Sequence, residues 1–270
     1  MRERCSEAPV GVGAMSPSAY LRIVEDVDVV RLTLARPPLN ILTLEILEAL
    51  RDALDAAAQR PALKAVVLAA DGKAFCAGVA VEEHLGDRAK PMLEAFHAVF
   101  HALRALPCPT VAGVQGAALG GGAELATFCD VVVADEGATF GQPEIRVGVF
   151  PPIAALHYPT RVGPARALRL LLTGEVIGAA EAERIGLVDR VVPAGTVAEA
   201  VEAEVGRFRA LSAVVLRLSK RAVRETFGLP FEEGLGVLEE LYHHTLMTTA
   251  DAEEGLRAFV EKRKPIWRDR

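Results

Sequence analysis

The chain has 270 residues, a net charge of −6 and a pI near 5.6, and it is 51% hydrophobic with only 5% aromatic side chains. That length holds one large domain, or one domain with a helical appendix, whose core is built from Ala, Val and Leu. The acidic balance argues against nucleic acid as the main partner, and the lack of an 18-residue apolar run argues against a transmembrane helix; the expectation is a cytoplasmic enzyme without a membrane partner.

Residues 1–18 carry early Arg and Glu but no apolar h-region. They read as a disordered extension rather than a secretory signal, with Met15 as an alternative start. Residues 20–24 and 28–34 are apolar and β-branched and predict paired strands, broken by Arg36-Pro37-Pro38-Leu39-Asn40. Thr43 offers a helix N-cap with Glu45 in the first turn, and Leu47, Leu50, Leu54 and Ala58 follow at helical spacing. Lys64–Ala70 predicts a buried strand, and residues 73–87 a loop. A helix over 89–105 stops before Pro107 and Pro109, because the residue before proline resists helix. Thr110–Val114 predicts a strand, Gly120–Phe128 a helix and Val131–Ala134 a strand. From about residue 164 the pattern is helical, with a strand at Leu187–Val192 as the exception. Residues 19–195 thus read as an α/β core and 196–270 as a helical C-terminal region. No fixed-period repeat indicates a solenoid.

Two glutamates carry the chemistry. Gly116–Glu124 reads GAALGGGAE: a strand ends, glycines follow and a helix begins, leaving N–H groups free to stabilise an anion. The spacing is neither a dinucleotide fingerprint nor a P-loop, and a glycine triplet alone is more often a packing turn. Lys73–Val81 (KAFCAGVAV) could supply a second N–H. Glu144 ends a second glycine-bearing segment, Phe140-Gly141-Gln142-Pro143-Glu144. Two carboxylates in one pocket can share a water and divide acid and base work.

The phrases AFCAG, GAALGGGAEL, FCDVVVA, FGQPEI, LTGEVI, AERIGLVDRVVP and FVEKRKP occur in the order found in the enoyl-CoA hydratase (crotonase) family, which the chain resembles from Tyr20 to Trp267. The resemblance implies a spiral of ββα turns, with a helical C-terminal region used in assembly and as CoA cover. It implies homotrimers commonly paired into hexamers. The substrate it implies is an acyl-CoA thioester, with no cofactor expected besides the CoA that the substrate carries. An oxyanion hole falls to the N–H groups of Val79 and Gly121, and the catalytic carboxylates to Glu124 as base and Glu144 as acid in hydration. CoA contacts fall to Pro38, Leu39, Ala77, Ala80, Val81, Glu82, Phe259 and Lys262.

The chain departs from the pattern in three places. Ala80 stands where an Asp is usual, which puts loop support in question. Glu82 stands where a Lys often helps with CoA. Phe150-Pro151-Pro152-Ile153-Ala154-Ala155 replaces Pro-Gly-Ala-Gly-Gly, so Phe150, Pro151 and Pro152 should reshape the acyl pocket. The Phe-Pro-Pro form and the His-rich 97–101 stretch are similar to a branch that hydrates cyclic dienoyl-CoA thioesters. The alternatives within the family are an isomerase, decarboxylase or hydrolase. A non-catalytic RNA-binding relative would need a basic helix, and the helix over 43–59 is acidic.

The remaining residues have plainer readings. Cys5, Cys76, Cys108 and Cys129 show no CxxC or CxxH spacing and read as reduced, small core residues. His97 and His101 could be half of a metal site, but no third ligand is evident and no metal is expected. His157 reads as a structural histidine, and Asp130 as a local cap or pair. The basic tail reads as a solvated helix end, with the resemblance raising a phosphate-anchoring part for Lys262.

Overall fold

The computed structural model describes residues 18–270; the expected N-terminal extension as far as Pro17, with Cys5, lies outside them. Strand β1 (Leu21–Glu25) pairs antiparallel with β2 (Val29–Leu34), and parallel strands β3 (Ala65–Ala70), β4 (Thr110–Val114), β6 (Val131–Asp135) and β9 (Arg190–Val192) continue the sheet in the order β1-β2-β3-β4-β6-β9. Helix α1 (Leu44–Ala58) connects β2 to β3, and α2 (Ala89–Ala105) connects β3 to β4.

A second, smaller sheet holds β5 (Ala117–Leu119), β7 (Thr139–Gly141) and β8 (Val176–Gly178). Each turn of the spiral now has its parts: β4 and β5 lead into α3 (Gly121–Thr127), and β6 and β7 lead towards α4 (Pro152–Val162). The sequence reading lacked this sheet. It also expected only helix around residue 176, and it began the last strand at Leu187 rather than Arg190.

Alternation along the central strands divides the core. Val66 and Leu68 face the large cluster with Leu47, Leu50 and Leu54 of α1 and Phe96 and Phe100 of α2. Ala65 and Val67 face the opposite way, with Val111, Val133 and Val201, under α7 (Val197–Arg209). Each fully buried leucine on α1 contributes about 1.5–3 kcal/mol of apolar burial, which sets the register of that helix against the sheet.

Helices α5 (Pro164–Thr173) and α6 (Ala179–Ile185) flank the small sheet, and α8 (Ala213–Thr226), α9 (Phe231–His244) and α10 (Ala250–Val260) follow α7. The C-terminus is tied down. Buried Asp251 accepts from Ser212 Oγ at 2.5 Å, Arg268 N at 2.7 Å and Asp269 N at 2.9 Å. Cys76, Cys108 and Cys129 are buried free thiols, and burial pushes each of them up, Cys108 to about 11.

Candidate active site

The 73–81 loop is stitched to β5 by main-chain bonds. Cys76 N donates to Ala117 O at 3.0 Å and Leu119 N to Cys76 O at 2.9 Å. On its other side Leu42 N donates to Gly78 O and Ala80 N to Leu42 O, both at 2.9 Å. These bonds use the Gly78 carbonyl and the Ala80 N–H, on either side of Val79. Among the described residues the Val79 N–H has no acceptor, and neither has Gly121 N at the first position of α3. The two backbones pass close together: a Cβ on Gly78 would lie 3.3 Å from Leu119 O and 3.9 Å from Gly121 N, and one on Gly122 only 2.2 Å from Cys76 O. Only glycine permits that approach.

Glu124 sits on α3 at 2% exposure, and its Oε1 accepts from Ala154 N at 2.7 Å. Ala154 is the third residue of α4, whose first residue, Pro152, has no N–H. Glu124 therefore satisfies the open end of α4. Burial pushes its carboxyl up to about 8, against the Ala154 N–H and with help from the charge of Glu144.

Glu144 lies in a 3-10 turn, Pro143–Val147, that follows β7. Its Oε1 rests against Gly120, where a Cβ would be 2.5 Å away, and its Oε2 is buried without a protein partner. Burial raises this carboxyl as well. Two carboxyls with elevated proton affinity at one place can give and take protons near neutral pH.

Further residues support this centre that the sequence did not single out. Gln142 is fully buried, and its Nε2 donates to Tyr158 Oη at 2.8 Å while its Oε1 has no partner. Burial pushes the Tyr158 phenol up, so it stays neutral. Phe96 packs under Gly121, and rings continue through Phe100 at 4.9 Å and Phe128 at a further 5.1 Å. His157 Nε2 donates to Thr127 O at 2.9 Å, joining α4 to the end of α3 as a structural histidine. Phe150 is 70% exposed, Pro151 is buried and Pro152 opens α4. Among the described residues no group of three or more metal-ligating side chains accompanies His97 and His101, and no helix is long and apolar enough to cross a membrane.

A groove of about 600 Å³ opens beside the loop, with Pro38, Leu39, Ala80 and Glu82 in its lining. Ala77 joins it through Ala77 N donating to Leu39 O at 2.9 Å, and Val81 opens an exposed 3-10 turn. Arg36 and Arg88 line the same groove and were not foreseen; the signal was there in the arginine beside the Pro37-Pro38 turn. Thr43 holds the N-cap position of α1 but makes no side-chain cap. Glu83 does so from the groove, its Oε2 accepting from Leu44 N at 3.1 Å. The loop does not need an aspartate at position 80. Ala80 N donates to Leu42 O, and Ala80 O accepts from Glu83 N and His84 Nδ1. Phe259 and Lys262 stand apart from this groove: Phe259 is 85% exposed at the end of α10, and neither residue is in the lining.

These features define an α/β spiral with two buried carboxylates beside two open main-chain N–H groups. A family model described as enoyl-CoA hydratase/isomerase matches residues 25–270. A cyclohexa-1,5-dienecarbonyl-CoA hydratase of Thauera aromatica is 41% identical over 247 residues, covering 91% of this chain and 95% of that protein. A mitochondrial enoyl-CoA hydratase of Pongo abelii is 34% identical, covering 86% and 80%. A crystal structure of an enoyl-CoA hydratase from Mycobacterium smegmatis superposes with a TM-score of 0.88 at 33% identity, covering 93% of this chain and 99% of that one. The chain belongs to the enoyl-CoA hydratase/isomerase family and has the crotonase fold.

Proposed function

We propose that the protein is an enoyl-CoA hydratase, adding water reversibly across the 2,3 double bond of an acyl-CoA thioester. The observation that carries this is the pair of buried carboxyls, Glu124 and Glu144, converging near the two open N–H groups. The thioester oxygen sits between Val79 N–H and Gly121 N–H. As water attacks C3, charge moves to that oxygen, and each donor stabilises the enolate by about 3 kcal/mol. Glu124 takes the proton of the water and Glu144 supplies one at C2. The pair titrates together, and the roles exchange in dehydration.

CoA lies in the groove, with Arg36 and Arg88 meeting its phosphates and offsetting Glu82. Pro38, Leu39, Ala77, Ala80 and Val81 contact the rest. Phe259 and Lys262 reach CoA only from a neighbouring subunit, in a trimer or a dimer of trimers. Exposed Val223, Phe227, Phe231 and Val260 on the C-terminal helices support such assembly. The chemistry calls for no further cofactor, and the chain works in the cytoplasm. Phe150, Pro151 and Pro152 shape the acyl pocket. The Thauera aromatica relative supports a second reading, in which the acyl group is a cyclic diene.

The test is Glu124→Gln and Glu144→Gln, each folded and binding CoA, assayed on crotonyl-CoA and a cyclic dienoyl-CoA with product mass recorded. Loss of water addition by 10²-fold or more is expected for each. Parental rates, or products of unchanged mass, refute the reading.

A further inference from the structure

Two buried polar atoms near the centre have no partner in the protein and no part in the reaction, Gln142 Oε1 and His97 Nε2, and the second lies on the helix whose Phe96 packs under Gly121. His97 is on α2, and its Nε2 is buried without a partner in the protein. A polar atom withheld from both water and protein costs about 1–3 kcal/mol, so its retention points to a partner that arrives with the ligand.

The position of His97 on α2 gives that partner its place. Phe96, the adjacent residue, packs against Gly121, one of the two proposed oxyanion donors, and the rings of Phe96 and His97 are 6.2 Å apart. At 100° per residue, Leu93, Phe96, His97 and Phe100 share one flank of the helix. Phe100 continues that flank to Phe128 at the end of α3, the helix that carries Glu124. Leu93, Phe128 and Ile153 are only partly buried where they pack on the core. An acyl chain that left the oxyanion hole along this flank would meet these apolar side chains. Burial lowers the proton affinity of the imidazole, and so does His101. The ring is then neutral, and a hydroxyl, which both donates and accepts, suits either tautomer, as a keto oxygen suits the Nε2–H form.

We propose that His97 is a specificity-determining residue that hydrogen-bonds an oxygen on the acyl chain beyond C3, selecting hydroxylated or keto-bearing acyl-CoA thioesters over plain ones. This rests on the acyl-CoA reading of the site. It differs from that reading in assigning the acyl group a polar substituent. A site built to hydrogen-bond a substrate hydroxyl discriminates strongly against the analogue lacking it, because its own polar group is then left unpaired.

Binding separates the proposal from the chemistry. Hexanoyl-CoA, 5-hydroxyhexanoyl-CoA and 6-hydroxyhexanoyl-CoA do not react, and their Kd values can be measured by calorimetry on the assembled protein with parent, His97→Leu and His97→Asn. One hydroxylated ligand should bind the parent at least tenfold more tightly than hexanoyl-CoA. His97→Leu should erase or invert that ratio, and His97→Asn should keep part of it. Thermal unfolding of the three proteins checks that the variants keep the fold. Equal ratios in parent and His97→Leu, or no preference in the parent, overturn the proposal and leave the hydratase reading intact. Failure of all three ligands to bind overturns both.

Discussion

Gly120→Ala separates the fold from the chemistry more sharply than replacing either glutamate. Gly120 has φ +52 and ψ −129, a region open almost only to glycine, where a side chain costs about 1–3 kcal/mol. The added Cβ would fall 2.5 Å from Glu144 Oε1, and the next nearest atoms are also in that carboxylate. No backbone stands in the way. The protein should fold with that modest stability loss, and the carboxylate should yield by about an ångström. A displacement of that size at a reacting group costs about 10²-fold in rate. The control is Gly122→Ala, whose Cβ would meet Cys76 O at 2.2 Å and Cys76 C at 2.8 Å. Backbone against backbone cannot yield, so that variant should fail at folding. Thermal unfolding and steady-state hydration of crotonyl-CoA, run on the same preparations, read the two effects apart. Parental kcat in folded Gly120→Ala, or activity lost only in step with the folded fraction, would show that Glu144 is not held where the reaction needs it.

The remaining predictions concern protons, the groove and the tail. Hydration needs Glu124 as carboxylate and Glu144 as carboxylic acid, a singly protonated pair, so kcat/KM should rise and then fall with pH, with the elevated Glu124 value of about 8 within the bell; a flat profile refutes the acid–base pair. The same elevated proton affinity means the folded state binds more protons than the unfolded one between about 4.5 and 8. Stability should therefore fall across that window by a few kcal/mol, on the order of 1.4 kcal/mol for each tenfold change in proton affinity, and Glu124→Gln should flatten the slope in denaturant titrations. Arg36→Ala and Arg88→Ala should each weaken CoA binding by about tenfold at low salt and by less at high salt, leaving kcat near parental; unchanged Kd in calorimetry removes them from the phosphate site. Asp251→Ala should cost about 2–4 kcal/mol by orphaning Ser212 Oγ and two main-chain donors, and should expose the last residues to carboxypeptidase.

Long periodic elements were legible in the sequence and short ones were not. Helix α2 was read with its observed bounds because prolines end it and apolar residues recur along it. The small sheet escaped because Ala117–Leu119, Thr139–Gly141 and Val176–Gly178 are three residues each, too short for an alternation to register. Glu124 and Glu144 were found from their glycines, and the resemblance gave them partners. What no local pattern could supply is contact across the chain. Ala154 N on Glu124, Glu83 on Leu44 N and Tyr158 on Gln142 join residues 30, 39 and 16 positions apart. Arg36 and Arg88 become neighbours only once the 80s turn folds back beside the Pro37-Pro38 corner.

The bond between Ala154 N and Glu124 has a consequence for how this enzyme can change. The first turn of α4 holds Pro152, one of the residues proposed to shape the acyl pocket, and the same turn lowers the proton affinity of Glu124 against the effect of burial. Pro152 contributes no donor and the Ile153 N–H only a lesser one, so the hold rests mainly on the Ala154 bond. A mutation that admits a new acyl group by shifting this turn also retunes the acid–base pair. Selection for a new substrate would therefore move the pH optimum with it, and libraries aimed at specificity should be screened over a range of pH rather than at one.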